Sequence, residues 1–269
     1  MTRKLVPPPR DRFVRTSIAA QVEQARDFAV AMRAPVLVVG PPGIGKTKAL
    51  TWLAERDELA CYAMVSNTER TVKTLLKLVS RAFGWCDDRQ YARDLGEILH
   101  SQMPYAVASG AYLLLDEVQT LDLNALRELL TFNDHHGLPI VLSGNQAALK
   151  RTRVEAYAYE QIRDRLWKVV EITAPEADDF VRIGIEHGVE DADAFEVLVA
   201  FGKSVSIRRT VQLLTAARHL AGRTGPISLA HLEQAAVFLT GDQGSLSRLE
   251  RKRLPSTVSL APKPARTRA

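Results

Sequence analysis

The residues Gly40-Pro41-Pro42-Gly43-Ile44-Gly45-Lys46-Thr47 follow directly on the apolar run Val36-Leu37-Val38-Val39, and they complete the spacing G-x-x-x-x-G-K-[ST] without a gap. A chain in this order must deliver a buried strand into a glycine-rich bend and then into a helix. The glycines reach backbone angles that a β-carbon forbids, so successive N–H groups and the N-terminus of the next helix point into one concavity and attract phosphate. In such a cradle Lys46 reaches the β- and γ-phosphates and the Thr47 hydroxyl ligates Mg²⁺. The expected contacts for ATP run from Gly40 to Lys48.

Further along lies Tyr112-Leu113-Leu114-Leu115-Asp116-Glu117, a short apolar run ending in two carboxylates. It reads as a buried parallel strand, whose carboxyl end is where an open α/β sheet gathers its chemistry. Asp116 is expected to hold Mg²⁺ through water, and Glu117 to orient and polarise the water that attacks ATP. The plainer alternative is that the two acids cap the helix starting near Asp122. It leaves unexplained both the apolar residues before them and the loop upstream.

With 269 residues the chain can hold a nucleotide-binding domain of about 150 to 170 residues and a smaller one. No apolar run approaches the roughly eighteen residues of a membrane span, and no apolar segment follows the basic, proline-rich start, so a cytoplasmic protein with no membrane partner is expected. Cys61 and Cys86 have neither C-x-x-C spacing nor a histidine pair beside them, so they read as reduced thiols. His135 and His136 precede Gly137, where a charged imidazole would favour a helix C-terminus. The net charge of +5 belongs to the ends: residues 1–15 carry +4 and residues 244–269 carry +6, which leaves the body acidic. The last stretch mixes Ser, Pro, Ala and Arg without sustained periodicity and reads as disordered; basic ends of this kind either attract polyanions or simply solubilise.

Periodicity places a helix over Thr16 to Arg33, with Ile18, Val22, Ala25 and Ala29 on one face and Ser17 as its cap. Helices and strands then alternate. The helices cover Gly45 to Asp57, Arg70 to Phe83, Ala92 to Met103, Leu123 to His135, and the regions of Gln146 to Arg151 and Tyr157 to Leu166. Besides the two strands already named, others are expected at Cys61 to Val65, Pro139 to Leu142 and Lys168 to Ile172. This alternation implies a five-stranded parallel sheet with right-handed crossovers. Beyond Pro175 the pattern is purely helical: Glu176 to His187, Ala192 to Phe201, Ser206 to Ala221 and Ser228 to Leu239. The expected organisation is a basic extension over 1–15, an α/β domain over 16–174, a small all-α lid over 175–243 and a basic tail over 244–269.

An α/β core of this kind followed by a four-helix lid resembles the AAA+ ATPases. The resemblance implies that Asn145, after Leu142-Ser143-Gly144, is the polar sensor beside the γ-phosphate and the attacking water. The segment Tyr159-Glu160-Gln161-Ile162-Arg163-Asp164-Arg165-Leu166 resembles the arginine-finger box, in which Arg165 fits better than Arg163 because an apolar residue and a strand follow it. Such an arginine stabilises transition-state charge in a neighbouring subunit's site. Val205-Ser206-Ile207-Arg208-Arg209 resembles the start of the second sensor helix, with Arg208 facing nucleotide. The family's glycine before that arginine is missing here, so Arg208 and Arg209 both remain open.

Arg70, Lys73, Lys77 and Arg81 form a basic stripe opposite Val72, Leu75, Leu76, Val79 and Phe83. Stripes like this are ordinarily solvated surface. In ring- or spiral-forming AAA+ proteins this segment lines the central channel, where a Lys/Arg row would follow a phosphate backbone without reading sequence. Lys150, Arg151 and Arg153 form a second basic cluster. Phe13-Val14-Arg15-Thr16, the helix after it, Ser66-Asn67-Thr68-Glu69-Arg70-Thr71 and Leu142-Ser143-Gly144-Asn145 together resemble the phage Mu transposition protein B family and related transposon target-selection ATPases, over about Arg12 to Thr240. That resemblance implies an ATPase, slow and stimulated by DNA or assembly, that binds double-stranded DNA without sequence preference. It would assemble as a ring or filament and deliver target DNA to a transposase inside a bacterial or phage-infected cell. The Mu protein has a helix-turn-helix domain before its ATPase, and the functions of that domain are not carried over. An ExeA-type secretion-associated ATPase and a helicase-loader-like switch remain alternative readings.

Overall fold

A computed structural model describes residues 13–85, 92–146, 156–222 and 225–240. Cys86, the cluster Lys150, Arg151 and Arg153, most of the expected extension and the expected tail over 244–269 lie outside them. The first described helix, α1 (Ser17–Met32), is capped by Thr16 rather than by Ser17: the Thr16 hydroxyl accepts the Ala19 N–H at 3.2 Å. Ser17 is left to donate elsewhere.

Five parallel strands follow: β1 (Pro35–Val39), β2 (Ala60–Met64), β3 (Tyr112–Asp116), β4 (Ile140–Gly144) and β5 (Lys168–Glu171). Their order across the sheet is β2-β3-β4-β1-β5. The central strands β1, β3 and β4 are buried along their whole length, which is why they read as unbroken apolar runs. Alternation still sorts their side chains. Val36, Val38, Tyr112, Leu114 and Val141 join a core with α1 and α2 (Lys46–Arg56), whereas Leu37, Val39, Leu113, Leu115, Ile140 and Leu142 face the other layer. That other layer comprises α3 (Val72–Ala82), α4 (Ala92–Ala108), α5 (Leu123–His136) and α6 (Ala156–Arg163).

Two helices differ from expectation. α4 continues through Pro104 to Ala108, because Met103 and Val107, four residues apart, are both buried while Pro104 sits on the exposed side. The helix ends at Gly110 (φ 93°), where Ala111 N–H donates to Ala106 O at 2.9 Å. At the end of α5, His136 Nε2 lies 2.9 Å from His100 Nδ1 of α4. Burial, then the nearby imidazoles of His100 and His135, hold the His136 pKa below its ordinary value. His136 therefore joins two helices as a neutral ring, where the sequence suggested a cation serving the helix end.

The lid comprises α7 (Ala177–Glu186), α8 (Ala192–Ser204), α9 (Ile207–Ala221) and α10 (Leu229–Thr240). Its buried residues, among them Phe180, Leu198, Leu213 and Leu232, belong to the same core as α1 and α2. One polar contact ties the two parts together. Asp179 of α7, 3% exposed, accepts the Ser17 N–H at 2.6 Å, the Ser17 hydroxyl at 2.5 Å and the Glu176 N–H at 2.9 Å. Three donors on one buried carboxylate make the lid and α1 interdependent. Asp179→Ala is expected to destabilise the fold by about 2–4 kcal/mol, since hydrogen bonds to a charged group contribute about 1.5–3 kcal/mol and buried donors are left without an acceptor. Urea unfolding checks it: the midpoint falls while the slope is retained.

Candidate functional site

The phosphate loop occupies the bend between β1 and α2. Gly43 and Gly45 have φ of 79° and 104°, in the left-handed region that favours glycine. Gly40 is required for a different reason: a β-carbon there would lie 2.7 Å from Ile172 O and 2.8 Å from Ile44 Cδ1. Ile44 is buried, so the loop carries its own apolar plug against the end of β5. No atom comes within 4 Å of where a Gly45 β-carbon would sit, and the concave side of the loop is open there.

Lys46 is the first residue of α2 and 9% exposed. Its ammonium donates to Gly40 O at 2.8 Å and Pro41 O at 2.9 Å, so it lies back across the loop. Burial pulls its pKa down, Asp116 and Glu117 oppose that, and Arg208 adds to it. The Thr47 hydroxyl donates to Asp116 Oδ2 at 2.5 Å. Asp116 is 1% exposed, and its other oxygen accepts the Glu117 N–H at 2.9 Å. The pairing of a hydroxyl with a buried carboxylate beside an open loop suits a small divalent cation that is also bound by phosphate and keeps several waters. Neither Asp116 nor Glu117 caps α5. Asp122 stands at that N-cap, and its carboxylate receives Arg70 Nη2 at 3.1 Å.

Because β4 lies between β1 and β3, the residue after β4 falls between the loop and the acidic pair. That residue is Asn145, in keeping with its place in the sequence. Its backbone N–H donates to Gln119 Oε1 at 3.2 Å, and Gln119 Nε2 donates to Glu117 Oε2. Sequence reasoning does not single out Gln119. Only its position two residues after Glu117 marks it, and an amide in a turn has no periodicity to announce it.

The lid closes on the loop through the start of α9. Arg208 N–H donates to Gly43 O at 2.9 Å, and a β-carbon on Gly43 would lie 3.2 Å from Arg208 Cβ and 3.3 Å from Ser206 Oγ. Of the two neighbouring arginines, Arg208 is the one against the loop. Arg209 is exposed, and its backbone N–H is taken by the Ser206 cap. Lys48, expected at the nucleotide, has an exposed side chain.

Arg165 is not brought into this site. It precedes β5, beside Trp167, whose N–H donates to Pro35 O at the start of β1. The loop leaves the other end of β1, so one strand length, roughly 15 Å for five residues, separates them. Arg165 Nη1 instead pairs with Asp134 at 3.2 Å, and Arg163 ends α6 exposed. In the basic stripe, α3 begins at Val72, so Arg70 stands before the helix and not on it. Lys73 is exposed and Lys77 half-buried on the helix itself.

Comparison with known proteins agrees with this architecture. A family model described as an AAA domain matches residues 32–152. The fold is similar to that of Aeropyrum pernix ORC2 in its ADPNP–ADP complexes, with a TM-score of 0.60, 17% identity, and 86% of this chain and 70% of that one covered. It is also similar to Cdc6p from Pyrobaculum aerophilum, with a TM-score of 0.57, 13% identity, and 87% and 69% covered. The five-stranded parallel sheet, the phosphate loop and the helical lid make this chain an AAA+ P-loop protein. Within that class its sequence resembles the Mu transposition protein B family. It is 23% identical over 190 residues to the Mu-like prophage FluMu DNA transposition protein B of Haemophilus influenzae, a match that spans 69% of this chain and 65% of that protein.

The meeting of loop and lid gives a testable consequence. Gly43→Ala would require a left-handed alanine, at about 1–2 kcal/mol, and would press on Arg208 and Ser206. The expected outcome is a lower urea midpoint without nucleotide and faster ADP release in stopped-flow fluorescence.

Proposed function

We propose that this protein hydrolyses ATP with Mg²⁺, binds double-stranded DNA without sequence preference, assembles on it and presents it to a transposase. The observation that carries this reading is where the basic segment begins. Arg70 bonds to Asp122, five residues after Glu117, so the cationic surface of Lys73 and Lys77 starts at the nucleotide end of the sheet. A phosphate backbone there is within reach of the elements that hold the catalytic acid. The resemblance to a DNA transposition protein supports the same choice of polyanion.

In this reading Lys46 and the loop N–H groups hold the phosphates, with Thr47 and Asp116 as the cation ligands. Glu117 orients the attacking water and Asn145 senses the γ-phosphate. Arg208 answers to nucleotide from the lid. Arg165 sits at the far end of the sheet from its own loop, which suits a finger for the next subunit and makes assembly a condition of fast turnover. Among the described residues no helix is long and apolar enough to cross a membrane.

The test is binding of a random-sequence duplex with ATP, with ADP and without nucleotide, read by anisotropy and negative-stain microscopy. Tight binding only with ATP, with rings or filaments on the DNA, is expected. Equal affinity in all three states would sink the coupling, and no binding in any state would favour a protein-remodelling or secretion role. Lys46→Ala should lose ATP binding and DNA binding together. Replacing Lys73 and Lys77 by Ala should flatten the slope of log affinity against log salt by about 1.8, at about 0.9 for each phosphate that a lysine no longer neutralises. Arg165→Ala should keep ATP binding and lose about 10³-fold or more in hydrolysis. Mixing it with Lys46→Ala subunits should restore part of the turnover.

A further inference from the structure

Glu117 is one of two described non-glycine residues with positive φ, at φ 59° and ψ 35°. A 3₁₀ turn, Val118–Thr120, follows at once and closes through Thr120 N–H to Glu117 O at 3.0 Å and Leu121 N–H to Val118 O at 3.1 Å. A left-handed residue feeding so tight a turn folds the Glu117 side chain back toward Gln119. The Gln119 amide has only one orientation that satisfies both neighbours. Its oxygen must face the Asn145 N–H, which leaves its nitrogen for the Glu117 carboxylate.

We propose that Gln119 is a positioning residue that restrains Glu117, and that the Arg70–Asp122 pair locks the turn carrying it, so that a polyphosphate drawing Arg70 away releases Glu117 for hydrolysis. This rests on reading the chain as an ATPase that binds DNA. A carboxylate oxygen held by an amide has lost acceptor capacity for water, and its direction is fixed by the end of β4. The turn that presents Gln119 ends at Asp122, and Arg70 grips Asp122 twice, through Asp122 N–H to Arg70 O at 3.0 Å and through the side-chain pair at 3.1 Å. The two side chains are 59% and 46% exposed, and an exposed pair of this kind is weak. A DNA phosphate competes with Asp122 for the same guanidinium on better terms, since phosphate takes arginine bidentately and is joined by further cations at Lys73 and Lys77. The backbone bond between residues 70 and 122 keeps the segment in place while the side-chain lock opens.

The experiment compares wild type, Gln119→Ala, Gln119→Glu, Asp122→Asn and the double variant Gln119→Ala/Asp122→Asn for steady-state hydrolysis with and without a random-sequence duplex. Gln119→Glu keeps an acceptor for the Asn145 N–H and removes the donor to Glu117. Asn at 122 remains a good helix cap, so α5 is preserved. The expected result is a basal kcat raised about fivefold in each single variant, with KM for ATP within about twofold of wild type. Duplex then adds less than about twofold, and the double variant does not exceed the singles, because both substitutions open one lock. Hydrogen exchange of the amides of residues 117–122 in nucleotide-free protein gives a readout apart from turnover: duplex should speed it in wild type, and Asp122→Asn should be fast already. A lower basal kcat in Gln119→Ala, or full duplex stimulation retained in that variant, overturns the proposal. So do additive effects in the double variant. If wild type neither binds duplex nor responds to it, the DNA reading fails and the link to Arg70 with it, while the basal rate of Gln119→Ala still decides whether Gln119 restrains Glu117.

Discussion

The contact between Thr47 and Asp116, 69 residues apart in the chain and 2.5 Å apart in space, is the join on which the site depends. It exists because β1 and β3 run parallel with only β4 between them, so that the loop after β1 and the acids after β3 emerge at one edge. An antiparallel arrangement would send them to opposite ends. The right-handed crossovers keep every carboxyl end on that edge, and the fully buried central strands fix the register that lets a hydroxyl meet a carboxylate. Asn145 and Gln119 are in place for the same reason.

A second constraint is the seat of the lid. The lid has no separate core among the described residues: Phe180, Leu198 and Leu213 pack into the apolar layer that holds α1 and α2. Its first helix is held to α1 by Asp179 and its third meets the loop through Arg208 and Gly43. A change at the phosphates therefore has a short mechanical route into the lid, through backbone rather than through long side chains, and backbone contacts transmit displacement with little slack.

The two ends of the sheet differ in kind. The carboxyl end gathers Lys46, Thr47, Asp116 and Glu117, and the amino end carries Arg165 and the exposed Trp167. A strand cannot be shortened to bring these together, so an arginine at the amino end serves another molecule or serves no phosphate at all. The geometry thus links the finger assignment to assembly.

The loop, the acidic strand, the alternation of strands and helices, and the helical character of the lid are all legible in the residue order, because each rests on neighbours in the chain: glycines at fixed offsets, apolar runs, a cap before a helix. Element ends shift by a few residues, and most at Pro104, where two buried side chains outweigh the local preference of proline. Arg208 over Arg209, the tie between Asp179 and Ser17, the removal of Arg70 from the α3 face and the hold of Gln119 on Glu117 cannot be read that way. Each is a polar contact whose partner comes from a distant segment or a turn, and a single polar side chain leaves no periodic trace of its partner. The sequence by itself determined that this chain builds a phosphate loop on a parallel sheet with a helical lid. Only the tertiary structure decided which groups meet across it, because strand order and helix packing, not proximity in the chain, set those distances.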